Sequence, residues 1–204
     1  MRRHGGPGAI VIALGSNLGG RAGRPEQVLR AAIRALHRAG IEVEACSRFY
    51  RSAAVPASAQ PPFVNAVALV RSPLRPRPLL ALLHRTEKRF GRLRRQPNAA
   101  RILDLDLIDY RGLVCLGGSG TPTLPHPRAW GRAFVVLPLA EIAPGFRRGG
   151  RRIVAGGLPP KGRPFVLNRP AQNACAPGPK HLNSMFRPRI GSPRHGPCDR
   201  GRLR

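Results

Sequence analysis

The segment with the clearest chemistry is Arg101-Ile102-Leu103-Asp104-Leu105-Asp106-Leu107-Ile108. Its alternation predicts a β-strand, in which residues two apart share a face. Asp104 and Asp106 then stand side by side while Leu103, Leu105 and Leu107 point into a core. Two carboxylates on one face repel each other unless a cation lies between them. Mg2+ suits that place, because it takes one or two carboxylates together with phosphate oxygens and water. A pair of strand aspartates is also what a solvated sheet surface carries, so the neighbours decide. The chain has nine acidic residues, and three of them fall within 104–109. Just upstream lies a basic loop holding Arg92, Arg94, Arg95 and Arg101. Guanidinium forks match phosphate oxygens and stay charged. Acidic metal ligands beside an arginine cluster fit a triphosphate.

Three further groups of residues add weaker signals. Gly15-Ser16-Asn17-Leu18-Gly19-Gly20 is a turn after an apolar run, and its glycines let the backbone approach a ligand or another segment. The chain holds neither a P-loop pattern nor GxGxxG, so the common nucleotide-binding folds lack support. His126 follows Pro125 in a loop, with Thr123, Arg128 and Arg132 nearby. Phe63 and Phe134 belong to a sparse aromatic set, 5% of the chain. Core packing is their default role, but facing each other they would clamp a flat heterocycle.

These residues need a frame. Ala9–Leu14 predicts a buried strand. Pro25 and Glu26 open a helix whose apolar positions are Val28, Leu29, Ala32, Ile33 and Leu36, closed by Gly40. Ile41–Arg51 predicts a strand, Ser52–Pro62 a loop, and Phe63–Val70 another strand. Pro76-Arg77-Pro78 introduces a second helix that ends near Gly91. Ile102–Tyr110 and Leu113–Leu116 are strands, and Thr121–Arg128 is a Pro-rich loop. Pro138 divides Ala133–Glu141 between a strand-like start and a helical turn. The order β-α-β-β-α-β predicts an α+β fold, a ferredoxin-like sandwich with two helices on one face of an antiparallel sheet. The other face is left for ligands.

Composition bounds the rest. At 204 residues the chain is one domain, or one domain plus a tail. The formal charge is +27. Residues 145–204 hold 14 Lys/Arg against one acid, with 10 Gly and 9 Pro, so under a third of the length carries nearly half the charge. Such a segment cannot bury enough apolar surface to order itself and is expected to be disordered. The four cysteines form no CxxC pair or zinc spacing. The apolar start is too short for a signal peptide or a membrane span. A soluble, cytoplasmic protein is expected.

The motifs IALGSNLG (12–19), SRFYRS (47–52), FVNAVAL (63–69), FGRLRR (90–95), ARILDLDLI (100–108) and LPHPR…RAFVVLPLAEIAP (124–144) resemble the 6-hydroxymethyl-7,8-dihydropterin pyrophosphokinase family of folate biosynthesis. The resemblance covers roughly residues 9–144, leaving 145–204 as a tail. It implies transfer of the β,γ-diphosphate of ATP to the pterin hydroxymethyl group, with release of AMP. It also implies two Mg2+ ions on Asp104 and Asp106. Arg92, Arg94, Arg101 and His126 match positions near the phosphates, and His84, Glu87, Leu107, Thr123 and Arg132 fall along the ATP site. Ser52, Ala53, Val55, Phe63, Asn65 and Phe134 match the pterin site, the two phenylalanines stacking on the ring. The chain departs from the family's pattern at Pro97 and Asn98, and throughout Gly145–Arg204. A monomer is expected, with nucleic acid bound only nonspecifically through the tail.

Two other readings stay open on sequence grounds. A basic RNA-binding module would use the charge, but the aromatic-rich strands of such modules are missing. A degenerate, inactive relative would explain the C-terminus, but sits poorly with an intact aspartate pair and His126.

Overall fold

The computed structural model describes residues 8–54, 59–92, 100–118, 120–148, 151–152 and 165–166. Strand β1 (Ile10–Ser16) is the apolar run after Ala9, extended through Gly15. Helix α1 (Pro25–Arg38) starts on Pro25, where a missing N–H costs nothing. Gln27 Oε1 accepts the Arg24 N–H at 2.8 Å, and Gly40 ends the helix with φ 82°. Strands β2 (Glu42–Cys46), β3 (Tyr50–Ser52) and β4 (Phe63–Arg71) follow. Helix α2 (Pro76–Arg89) buries Leu79, Leu83, Thr86 and Glu87, a stripe at helical spacing. Then come β5 (Asp104–Tyr110), the hairpin of β6 (Cys115–Gly118) and β7 (Thr121–Leu124), and helix α3 (Ala133–Ile142).

The result is an α+β fold. Strand β1 lies between β4 and β5, antiparallel to both, and β2 and β3 pair with successive parts of β4. Ile10, Ile12 and Leu14 face α1 and α2 in a core with Val28, Leu29, Leu79, Leu83, Leu103, Leu105 and Leu107. Burying each such side chain contributes about 1.5–3 kcal/mol, before the cost of ordering the chain. Val11, Val67, Leu69 and Ile108 face the other way, against Val135 and Leu139 of α3 and Ala143 just after it.

Three expectations are corrected. The strand expected over Ile41–Arg51 is two strands. Ser47 interrupts them: its N–H donates to Val67 O at 2.9 Å while its Oγ accepts the Val67 N–H at 3.0 Å. The Pro-rich stretch from Thr121 begins as strand β7, which tolerates Pro122 because it pairs only with β6. Ala133–Glu141 is helical throughout despite Pro138. The β-branched pair Val135-Val136 and the proline disfavour a helix locally, but Val135, Val136, Pro138 and Leu139 are all buried, and that packing outweighs propensity. Because α3 covers part of the second face, the open end among the described residues is the one where Asp104 and Asp106 stand, their side chains 21% and 35% exposed.

Within the tail, β8 (Arg147–Arg148) pairs with β9 (Arg151–Arg152), and β10 (Phe165–Val166) lies antiparallel to β3. Gly145 and Phe146 are also described, and Phe146 corrects the expectation: it is buried in the second core and its ring stacks on Trp130, centroids 6.0 Å apart. The remaining residues for which disorder was expected lie outside the described ones. No helix among the described residues is long and apolar enough to cross a membrane.

Candidate active site

Strand β1 builds the floor of the open end. Gly15 is paired with Asn65 of β4 on one side and with Asp104 of β5 on the other. One row along, Ala13 is paired with Val67 and Asp106. Asp104, Asp106 and Ile108 alternate with the core residues Leu105 and Leu107, so both aspartates share the face on which Ile108 meets α3. Phe63, Asn65, Val67 and Leu69 share that face through the same alternation on β4. Asn65 is 5% exposed, and its Nδ2 donates to Ser52 Oγ at 2.9 Å. Sequence spacing had put the aspartates on one face, and the register adds Asn65 and Phe63 to it.

The charges are arranged around Asp104. Arg92 Nη1 lies 2.6 Å from Asp104 Oδ1, and Arg101 Nη1 lies 2.6 Å from Asp104 Oδ2. Arg92 also pairs with Glu87. Glu87 is 1% exposed, and its Oε1 accepts the Leu105 N–H at 2.7 Å. It therefore pins α2 to β5 and aims Arg92 at the aspartate. Arg132 Nη1 stands 3.8 Å from Asp106 Oδ2, and its guanidinium lies 5.5 Å from the centroid of Phe134. Phe134 opens α3, half-buried against the core on the aspartate side of the sheet.

Titration follows from this crowding. Burial, reinforced by the negative charge of Asp104, pushes the Asp106 carboxyl above the usual aspartate value; His126, Arg132 and Arg92 oppose the rise. Burial holds His126 below the ordinary histidine value, with Arg132 and Arg128 adding to the effect and Asp106 opposing it. His126 is placed by its backbone N–H, which donates to Ile108 O at 2.8 Å just after the cis Leu124–Pro125 peptide.

Asn17 was read only as part of the Gly-rich turn, yet it joins the two loops around the site. Its Oδ1 accepts the Arg101 N–H at 2.8 Å, and its Nδ2 donates to Gln60 Oε1 and Pro61 O, each at 3.1 Å. The only signal in the sequence was its position in a turn directly after a strand.

The remaining expected residues are placed as follows. Ser52 is buried at the end of β3, and Ala53 is exposed beside it. Val55 and Arg94 lie outside the described residues. His84 is half-buried on α2, one turn before Glu87. Thr123 is exposed on β7, where its Oγ1 donates to Leu116 O at 3.3 Å. The Leu107 side chain is in the core, 3% exposed, so only its backbone can meet a ligand.

The donor set fits Mg2+. Two adjacent carboxylates offer oxygen ligands, and the raised Asp106 pKa reflects a half-buried carboxylate beside another negative charge. Among the described residues no group of three or more His, Cys, Asp or Glu forms a metal cage. A metal here would take its other ligands from phosphate and water.

Comparison with known proteins gives the arrangement its context. The profile of the 7,8-dihydro-6-hydroxymethylpterin-pyrophosphokinase (HPPK) family matches residues 11–144. The 2-amino-4-hydroxy-6-hydroxymethyldihydropteridine pyrophosphokinase of Synechocystis sp. is 42% identical over 152 residues, covering 72% of this chain and 73% of that one. Its namesake in Haemophilus influenzae is 38% identical over 133 residues, covering 65% and 79%. A crystal structure of a mutant Plasmodium falciparum HPPK-DHPS with pterin and p-hydroxybenzoate superposes with a TM-score of 0.52 at 12% identity. That match covers 75% of this chain and 44% of the parasite protein, and it shows likeness of fold. The chain belongs to the 7,8-dihydro-6-hydroxymethylpterin-pyrophosphokinase family.

Proposed function

We propose that the open end of the sheet is where ATP and 6-hydroxymethyl-7,8-dihydropterin meet, and that the residues around Gly15 carry the transfer. As a family member the chain is an ATP-dependent pyrophosphokinase of folate biosynthesis. The observation that carries the site assignment is the register: one position of β1 separates Asn65 from Asp104. A pterin held at Asn65 thus lies one strand from phosphates held at Asp104.

In this reading the pterin is held by Asn65, Ser52, Ala53 and Val55, with Phe63 and Phe134 against its ring. Asp104 and Asp106 would hold two Mg2+ ions, whose charge would offset that of the phosphates and polarise the β-phosphorus. Arg92, Arg94, Arg101 and Arg132 neutralise the triphosphate, Arg92 and Arg101 turning to it from Asp104. His126, held neutral by burial, donates a hydrogen bond to a phosphate oxygen. His84, Glu87, Thr123 and the Leu107 backbone line the nucleotide. The pterin hydroxyl gives up its proton to solvent as its oxygen bonds to the β-phosphorus, the bond from the β-phosphorus to the bridging α-phosphate oxygen breaks, and AMP leaves with that oxygen. The surrounding frame is a ferredoxin-like split βαβ over residues 9–144, to which α3 is added on the ligand face. It works as a monomer in the cytoplasm, and residues 145–204 follow it as a tail, of which Phe146 packs into the second core and Phe165–Val166 pairs with β3.

The experiment is AMP release from ATP and Mg2+ with and without the pterin, for the wild type and Asp106→Ala. The reading expects pterin-dependent AMP that drops at least a thousandfold in the variant. Full turnover by Asp106→Ala would refute the metal assignment.

A further inference from the structure

Gly15 is the one position of the site floor without a side chain, and the space a side chain would need is the space between the two substrates. A Cβ built on Gly15 would stand 3.3 Å from Asn65 Oδ1, 3.8 Å from the Asp104 Cβ and 3.9 Å from Phe63 Cδ1. These neighbours come from β4 on one side and β5 on the other. Asn65 has its Nδ2 committed to Ser52 Oγ, which turns Oδ1 toward Gly15. A side chain at position 15 would press on that oxygen and stand between it and the aspartates.

The backbone does not need glycine here. Gly15 lies inside a regular strand, paired on both edges, and is absent from the glycines with positive φ. The three nearest neighbours of such a Cβ are side-chain atoms, and the tightest, Asn65 Oδ1 at 3.3 Å, would have to give by a few tenths of an ångström. What a side chain at this place would press on is therefore the site. Gly19, Gly20 and Gly23 differ: there a Cβ would come within 3.0 Å of the Gly23 carbonyl, the Ile102 side chain and the Gln27 side chain respectively, so they serve packing around the turn.

We propose that Gly15 is a specificity-determining position, leaving open the gap between Asn65 and Asp104 through which the hydroxymethyl-bearing edge of the pterin reaches the nucleotide phosphates. This rests on the assignment of Asn65 and Phe63 to the pterin. A methyl at position 15 displaces Asn65 Oδ1 and narrows the gap, so it acts on the pterin and spares the nucleotide, whose arginines and aspartates keep their places.

The test is Gly15→Ala, measured beside the wild type for pterin KM, Kd of a non-hydrolysable ATP analogue, and Tm. The expected result is a pterin KM raised tenfold or more, an ATP-analogue Kd within twofold, and a variant that still melts cooperatively as a folded protein. A pterin KM within twofold of wild type would overturn the inference. So would an equal loss toward both ligands, or a variant that fails to fold, because glycine would then serve the sheet. A wild type that releases no pterin-dependent AMP would instead refute the functional reading itself.

Discussion

Arg101 is held by its backbone as firmly as by its charge. Its N–H donates to Asn17 Oδ1, and its carbonyl accepts from the Asn17 and Leu18 N–H groups at 3.2 and 3.3 Å. That grip sets the guanidinium on Asp104. Asn17→Ala would remove the bonds to the Arg101 N–H and the Pro61 carbonyl, both open to water in part, a loss of about 0.5–1.5 kcal/mol each at most. A lower Tm by thermal melting, with kcat/KM reduced about tenfold through misplacement of Arg101, is expected; unchanged kinetics would show that Arg101 is placed by its ion pair alone. Asp106 offers a second test. Since Asp104 helps raise its pKa, Asp104→Asn should lower it, as followed by carboxyl carbon NMR of the metal-free protein. The sign for stability is that a raised carboxyl pKa favours the protonated native form, so Asp106 favours folding more as pH falls through its folded pKa. The aspartate pair and basic loop were legible because alternation and charge density are local properties. Asn17 and Gly15 were not, because their roles depend on which segments the register brings beside them.

Among the elements, α3 explains most of what the sequence hid. Its buried face and Pro138 carry no helical amphipathic signature, so only contact with Val67, Leu69 and Ile108 reveals why it is a helix. Its end is tied to the interrupted edge of the sheet. Glu141 accepts from Arg48 Nε at 2.9 Å and from Tyr50 Oη–H at 2.8 Å. Burial first, then the bond to Glu141, pushes the Tyr50 phenol up to about 12. In spectrophotometric titration Tyr50 should ionise well after an ordinary tyrosine, and Glu141→Gln should bring it down. The unfolded phenol loses its proton near pH ~10 while the folded one keeps it, so stability falls as pH rises from there through the folded pKa. By contrast α1 and α2 were readable in full. Pro25 and Pro76 mark their starts, and one apolar stripe on each faces the sheet.

At the scale of the whole molecule, the charge of +27 and the Gly/Pro/Arg-rich C-terminus pointed toward nucleic acid, while the described residues direct the arginines that matter inward to carboxylates. The tail also reaches the domain, since Phe165–Val166 extends the sheet beyond β3, the strand that ends in Ser52. Composition could not show this, because a two-residue strand takes its order from the edge it joins. A chain ending at residue 148 should keep ATP-analogue affinity within twofold and raise the pterin KM severalfold, as the edge strand beside the pterin loses its partner. It should also bind RNA less tightly, with a shallower dependence on salt. Equal kinetics for the two lengths would show that β10 does nothing for the site. The central claim, that Gly15 divides a pterin site at Asn65 from a phosphate site at Asp104 and Asp106, is tested most directly by AMP release. Wild-type protein with ATP and Mg2+ should release AMP only when 6-hydroxymethyl-7,8-dihydropterin is present. Asp106→Ala should abolish that release while leaving pterin binding intact. AMP release that ignores the pterin, or that survives the loss of Asp106, would contradict the account.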